Sequence, residues 1–216
     1  MHSKLKKLRA IDLYSGIGGW ALGLELLNIQ VVNSYEWWDS AIETQVNNLG
    51  AGAEKVNIRE LKLTSLPRNI DIVVGSPPCT QFSYSNRGGG GDINDGLKDI
   101  VKFLEVVKYL KPKYWAMENI PRVAKIIEQE IKEGGILAKY RKLFKPIKTI
   151  EVINMSQFGL PQKRLRMIAG NFSFDLLKEY SGKCEQKVLA DVLIKLNLRR
   201  PKDSNYNLVL NKIKVT

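Results

Sequence analysis

The stretch that decides the fold is "LRAIDLYSGIGGWALGLELLN", residues 8–28. Its opening, "LRAIDLY" (8–14), reads as a strand. Its end, "GWALGLELLN" (19–28), reads as a helix with Trp20, Leu22, Leu24, Leu26 and Leu27 available for burial. Between them Gly16, Gly18 and Gly19 turn the chain just beyond Asp12. Open α/β sheets use such glycines to bring backbone close to a ligand at the carboxyl edge of the strands. The spacing is not G-x-G-x-x-G, so pyrophosphate is not indicated, and a plain tight turn stands beside the binding reading.

Working outward, strand and helix patterns keep alternating. "VVNSYEW" (31–37) reads as a strand, and "DSAIETQVNNLG" (39–50) as a helix with Asp39 as N-cap and Gly50 at its end. "NIDIVVG" (69–75) is a third strand. "LKDIVKFLEVVKYLK" (97–111) repeats apolar residues at helical spacing until Pro112 stops it. "KYWAMEN" (113–119) is a strand, and residues 121–144 are helix-like, with Pro121 suited to a first turn and Gly134-Gly135 breaking the run. "IKTIEVINM" (147–155) and "LRMIAGNF" (165–172) are the last strands, joined through Gly159-Leu160-Pro161. The alternation predicts an α/β protein with a parallel, doubly wound, Rossmann-like sheet. Residues 1–172 are expected to form the main domain. Residues 173–216 are expected to be a short extension packing on it, with one helix at 186–197 and a polar tail from Arg199.

The chain has 216 residues, 44% hydrophobic and 26% charged, which suits one sizeable core rather than a disordered chain. No apolar run reaches the roughly 18 residues of a membrane span. The charged start "MHSKLKKLRA" holds no secretory apolar segment, so a cytoplasmic protein without a membrane partner is expected. Cys79, Cys184 and the single histidine, His2, cannot make a zinc site or a disulfide framework, and no metal is expected. Lys and Arg number 34 against 22 Asp and Glu, a formal charge of +12, and residues 98–148 contribute 13 − 6 = +7 of it. Such an excess points to a polyanion, nucleic acid above all, with a solvated lysine-rich surface as the other reading.

Residues at strand ends carry the chemistry. Glu36 follows the glycine turn by about 20 residues, where a carboxylate commonly accepts from the hydroxyls of a ribose. In "DIVVGSPPCTQFSYSNRGGGGDIN" (71–94), Pro77 and Pro78 fix the backbone and hold Cys79 at the carboxyl edge. A thiol attacks only as a thiolate, and no histidine is near in sequence to activate it. A buried structural cysteine is the alternative, although Thr80, Gln81, Ser83 and Ser85 are not core company. Glu118 and Asn119 end a largely apolar strand, and an acid there is costly unless it is paired or works with a raised pKa. Arg164 and Arg166 stand two apart at a strand start and share a face, fit for phosphate, a base, or a solvated basic edge.

Together these segments resemble, in order, the motifs of the cytosine carbon-5 DNA methyltransferases. "DLYSGIGGW" resembles the family's first motif, "YEWWDSA" its second and "VGSPPCTQFS" its Pro-Cys motif. "MENIPRV" resembles its Glu-Asn-Val motif and "FGLPQKRLRMIAGNF" its Gln-x-Arg-x-Arg motif, so the likeness runs from about residue 9 to 172. It implies the fold of the S-adenosylmethionine-dependent methyltransferases, and methyl transfer from S-adenosylmethionine to carbon 5 of a cytosine flipped out of duplex DNA. By resemblance Cys79 is the thiolate that attacks carbon 6. Glu118, with Asn119 beside it, serves N3 and the exocyclic amine. Arg166, and with it Arg164, would hold the base and its carbonyl oxygen. The implied cofactor contacts are Tyr14, Gly16, Ile17 and Gly19 in the first loop, Glu36 on the ribose and Trp37 on the adenine face. Pro78 and Leu97 would approach the methionine end. Where the family has an Asp for the adenine amine, "VNIRE" offers Asn57, followed by Ile58, through a carbonyl oxygen that is a weaker acceptor.

The sequence departs from the family pattern in two places. Thr80 follows Cys79 where Gln is usual, and Gln81 comes one later. The family's target-recognition region, the Arg-rich motif before it and its closing Gly-Asn-Ser motif are expected after residue 172, where "SNYNLVLNKIKVT" resembles none of them. The expected partners are therefore double-stranded DNA and a second polypeptide supplying recognition, unless the enzyme is naturally minimal. An RNA cytosine methyltransferase and a non-catalytic nucleic-acid-binding subunit are the alternatives. "SYSNRGGGGDIN" is expected to be a catalytic loop ordered by substrate, with Ser83, Ser85 and Arg87 reaching DNA.

Overall fold

The computed structural model describes residues 7–83, 91–145, 149–190 and 192. Ser85, Arg87 and the expected substrate-ordered loop around them, the first residues of the strand expected at 147–155, and the tail from Arg199 lie outside the described residues. The elements follow in order β1 (Arg9–Leu13), α1 (Gly19–Leu26), β2 (Gln30–Glu36), α2 (Asp39–Leu49), β3 (Glu54–Lys55) and β4 (Ile72–Gly75). They continue with α3 (Ile93–Leu110), β5 (Tyr114–Asn119), α4 (Arg122–Glu130), β6 (Ile150–Asn154), β7 (Leu165–Gly170) and α5 (Phe174–Ser181).

The sheet order is β3-β2-β1-β4-β5-β7-β6. Neighbours from β3 through β5 run parallel, so the order reverses between β1 and β4 and opens a crevice at their carboxyl ends. The expected all-parallel sheet is corrected at one side: β7 runs antiparallel to β5, with Glu118 opposite Ile168. The residues from 155 to 164 are too few for a crossover helix between β6 and β7, and parallel neighbours need one.

Helices cover both faces, which is why β4 is buried at every position and reads as an unbroken apolar run. On one face Ala10, Ile72 and Val74 pack with Leu24 of α1. On the other, Ile11, Leu13, Val73, Trp115 and Met117 pack with Leu97, Ile100, Phe103, Leu104 and Val107 of α3, the stripe seen in the sequence. Gly75 lets β4 close on β1, because a Cβ there would stand 2.5 Å from the Leu13 carbonyl oxygen.

Several boundaries moved for local reasons. α3 starts at Ile93 because the Asp92 side chain accepts from the Asp95 N–H at 3.1 Å. Asp39 is the first residue of α2 rather than its cap, and its carboxylate pairs with Lys55 at 2.7 Å. Gly50 ends that helix at φ 71, as expected. The run 121–144 is α4 followed, beyond Gly134-Gly135, by a 3-10 segment at Ala138–Phe144. Strand β3 is too short to show a period. The chain divides into two compact units, Met1–Ile153 with Leu165–Asp175, and Asn154–Arg164 with Leu176–Thr216. Among the described residues no helix is long and apolar enough to cross a membrane.

Candidate active site

The carboxyl ends of β1, β2 and β4 border a cleft of about 260 Å³. Tyr14, Trp37, Asn57, Ile58 and Pro78 line it, all five of them expected from the sequence, together with Arg59, Thr80, Gln81, Asp95 and Asp99. Trp37 is 66% exposed, which leaves its indole face open. Gly16, Ile17, Gly19 and Glu36 are not lining residues; they build the turn behind the cleft. Glu36 is buried, and its Oε2 accepts from the Gly16 N–H at 2.8 Å while Oε1 accepts from the Trp37 and Trp38 N–H groups at 2.8 and 3.0 Å. A carboxylate offers about four acceptor sites, so Glu36 keeps capacity for a ligand.

Tyr14 sits at φ 54, a left-handed conformation that costs a non-glycine residue about 1–3 kcal/mol and needs support. The support is its hydroxyl, which donates to the carbonyl and Oδ1 of Asp99, both at 3.2 Å. Burial pushes the Tyr14 phenol pKa up, and the Asp99 charge adds to the shift. Asp99 also receives a bidentate Arg59, Nε to Oδ1 at 2.9 Å and Nη2 to Oδ2 at 2.7 Å. The same guanidinium reaches Asp95 at 2.9 and 3.1 Å, and its hydrogen bonds bring the Asp95 carboxyl down to about 2. Two carboxylates share this guanidinium, and Lys98 Nζ also meets Asp95 Oδ1 at 3.1 Å, so the charges of the group balance. Asn57 uses its carbonyl oxygen on the Arg59 N–H at 3.2 Å and its amide on Glu60 at 2.7 Å.

Leu97, expected at the methionine end, is not among the residues that line this cleft. It is fully buried in the core. Each helix residue turns about 100°, so Leu97 lies roughly 200° around α3 from both Asp95 and Asp99 and faces the sheet when they face the cleft. Deeper still is Asp12, fully buried, whose carboxylate has no well-aligned hydrogen bond among the described residues and only the nearby Ala21 N–H to favour its charged form. Burial raises its pKa well above the ordinary 3.8, and the Glu36 charge adds to the rise.

Cys79 is exposed and heads a 3-10 turn at Thr80–Phe82. Both ends of this segment are tied to the region where β5 passes into α4. Asn119, 1% exposed, donates to the Pro77 carbonyl at 2.9 Å. Arg122 donates to the Phe82 carbonyl at 3.0 Å. Gly96 lets α3 pack on the turn, since a Cβ there would meet the Phe82 ring at 2.7 Å and Gln81 at 2.9 Å. Gln81 accepts from the Asp92 N–H at 2.9 Å, which ties the turn to the α3 cap. Ser83 closes the turn through its N–H to Thr80. Glu118 meets Arg166 Nε at 2.6 Å. The β5–β7 register places Arg166 diagonally across from Glu118 on the same face.

Residues 8–214 match the family described as C-5 cytosine-specific DNA methylase. The chain belongs to that family. The match passes well beyond residue 172, where the motif likeness ends. Type II methyltransferase M.HindV of Haemophilus influenzae is 31% identical over 169 residues, covering 74% of this chain and 51% of that protein. Type II methyltransferase M.AquIA of Picosynechococcus is 31% identical over 185 residues, covering 77% and 72%. The fold matches that of S. pombe Dnmt2 methyltransferase with a TM-score of 0.64 and 22% identity, covering 96% of this chain and 66% of that one. The chain spans about half the length of the first curated relatives it matches, between 45% and 51% of each.

In this cytosine methylase chain the structure thus brings Glu118 and Arg166 into contact, and joins Asn119 to the Cys79 segment. Arg164 is an exposed residue of the second unit, where its backbone pairs with Asn154 and Met155. Sequence reasoning missed Arg59, Asp95, Asp99 and Arg122. The i, i+4 acid pair Asp95 and Asp99 at the start of a helix was a visible signal. Arg59 lies 36 and 40 positions from these partners and carried none.

Proposed function

We propose that the chain methylates carbon 5 of cytosine in duplex DNA, working in the cytoplasm as the modification component of a restriction–modification pair. The observation that carries this reading is Cys79: exposed, preceded by two prolines, on a turn tied at both ends to the strand end that presents Glu118. When bound, S-adenosylmethionine supplies an electrophilic methyl group. The cleft fits it chemically, with an open indole face at Trp37 for adenine and spare acceptor capacity at Glu36 for the ribose. Asp95 and Asp99, which line the cleft, offer carboxylate oxygens that can accept from its ammonium end.

The residues divide the work as follows. The target cytosine leaves the stack, because its ring edge is out of reach inside the duplex. Cys79, as thiolate, bonds to carbon 6, and the ring π pair moves toward carbon 5. Glu118 holds a proton at N3 as negative charge develops, and Arg166 fixes which way its carboxylate faces. Asn119 and Arg122 keep the nucleophile in place, which matters because small displacements of an attacking atom are costly. Once carbon 5 has taken the methyl group, the donor sulfonium being left as a neutral thioether, passage of the carbon 5 proton to solvent water would expel the thiolate and restore the ring. Ser83, with Ser85 and Arg87 beyond it in sequence, is assigned to DNA contact. The relatives give no support to the second polypeptide expected from the sequence, and the proposal does without it.

Duplex DNA containing 5-fluorocytosine tests the mechanism, because a fluorine at carbon 5 cannot leave as a proton. The expected result is a denaturation-resistant adduct in the wild type and none in Cys79→Ala. Methyl incorporation into DNA that survives Cys79→Ala overturns the covalent step. Incorporation into tRNA in preference to duplex DNA overturns the substrate assignment.

A further inference from the structure

At the other end of α3, residues that no motif explains surround an open pocket of about 600 Å³. Lys108 and Lys111 reach it from the end of α3, and Lys139, Lys142 and Lys145 from the 3-10 segment after α4. Trp115 and Tyr140, each 2% exposed, form its floor. Lys139 has a distant partner in Glu105 at 3.9 Å, while Lys108, Lys111, Lys142 and Lys145 have no carboxylate within ion-pair range among the described residues. Clustered like charges destabilise a fold until something of opposite sign joins them. One of these lysines is also held against backbone preference. Lys111 ends α3 at φ 48 and ψ 53, a left-handed cap where glycine is usual.

The fixed polar groups around the pocket are already committed. The Tyr140 hydroxyl donates to Glu105 at 3.3 Å. Asn171 accepts from the Trp115 N–H at 2.7 Å and donates to the Lys113 carbonyl at 3.1 Å. Apart from the Trp115 indole N–H, the donors left for a ligand are ammonium groups, point charges on flexible stems. Such a surface reads charge density. The ligand class it suits is a phosphodiester backbone, whose phosphates need only neutralisation.

The rise along α3 from Asp95 to Lys111 is about 24 Å, and the pocket lies at the amino edge of the sheet, opposite the Cys79 edge. A straight duplex lying across the carboxyl edge does not reach it. We propose that this pocket is a second DNA-backbone site, holding a duplex segment other than the one whose base is being methylated. The site adds to affinity and to salt dependence, lets one molecule bridge two duplexes, and takes no part in the chemistry.

The test uses the full chain and compares wild type with a variant combining Lys108→Ala, Lys111→Gly, Lys142→Ala and Lys145→Ala. Binding of a 30-base-pair duplex is measured across a salt series, and bridging by energy transfer between two labelled duplexes. The expected slope of log affinity against log salt falls by about 3.6 in magnitude, at ~0.9 for each of four phosphates no longer neutralised. Bridging disappears, and 5-fluorocytosine trapping on a short duplex is unchanged. Lys111→Gly alone relieves the strained cap while removing one charge, so it should melt no lower than wild type and lower the slope by about 1. It keeps the question answerable if the combined variant fails to fold. An unchanged slope overturns the proposal. A loss of affinity for tRNA but not duplex DNA overturns it too, as does protection by inorganic phosphate with the DNA slope intact. Cys79→Ala should lose trapping and keep the full slope, so failure of the catalytic reading and failure of this one are separate results.

Discussion

The two edges of the sheet are both lined with charge and use it in opposite ways. At the carboxyl edge the polar groups are tied down: Arg59 to two carboxylates, Tyr14 to Asp99, Asn119 to Pro77, Glu118 to Arg166. At the amino edge most of the lysines lack a carboxylate partner, and Lys108 and Lys139 stand 6.0 and 5.0 Å from the centre of the Tyr140 ring. A fixed set of donors and acceptors discriminates geometry, as chemistry on one ring requires. Ammonium groups discriminate only charge, which is what a repeating backbone offers.

Substitutions can break this contrast, and the largest effect belongs to the nucleophile. Cys79→Ala should lower methyl transfer by at least about 10⁴-fold, the order expected when an attacking atom is deleted. Because the thiol is exposed, the melting temperature should barely move; retained turnover would show that the fixed edge is not the chemical one. Glu118→Gln keeps the shape and loses the charge, and should cut the rate by about 10²–10⁴-fold while leaving cofactor affinity intact, as read by titration. Asn119→Ala leaves the buried Pro77 carbonyl without its partner. It should cost about 1–3 kcal/mol of stability in urea unfolding and reduce kcat more than cofactor binding.

Asp12→Asn separates burial from function. The folded carboxyl holds its proton above the ordinary 3.8, so from about pH 4 upward the folded state keeps a proton that the unfolded chain releases, and stability falls as pH rises. The variant lacks this slope. It should gain on wild type as pH rises from about 4 toward the raised folded pKa, by up to ~1.4 kcal/mol per unit. At the amino edge, Lys142→Ala should change stability by no more than about 0.5 kcal/mol, the smallest effect of all. A larger loss would mean that the lysines are structural.

Much of this could be read from the chain because the signals were local. Residues 8–28 carry strand, turn and helix together, and the apolar stripe of α3 marks its buried face. The two prolines and the apolar run before them placed Cys79 at a strand end. What escaped depends on contacts across the sequence. Arg59 meets Asp95 and Asp99 only after the sheet brings its strand ends together. The direction of β7 follows from the short connection at residues 155–164, and strand periodicity carries no sign of it. Leu97 is buried in the core, two residues along the helix from Asp95 and Asp99, which line the cleft. Asp12 looked like part of a strand's end, and only full burial marks it as a group with a displaced pKa.

Helix α3 begins with Asp92, Asp95 and Asp99 and ends with Lys108 and Lys111. That order suits any helix, whose amino end favours anions and whose carboxyl end favours cations. Here its 18 residues extend about 27 Å and carry the two poles to opposite edges of one domain. On the two proposals above, the helix would meet the cofactor at one end and a DNA backbone at the other. It also links them mechanically. Sliding α3 along its axis would move both poles at once, so either end is tuned alone only by exchanging side chains in its own last turns.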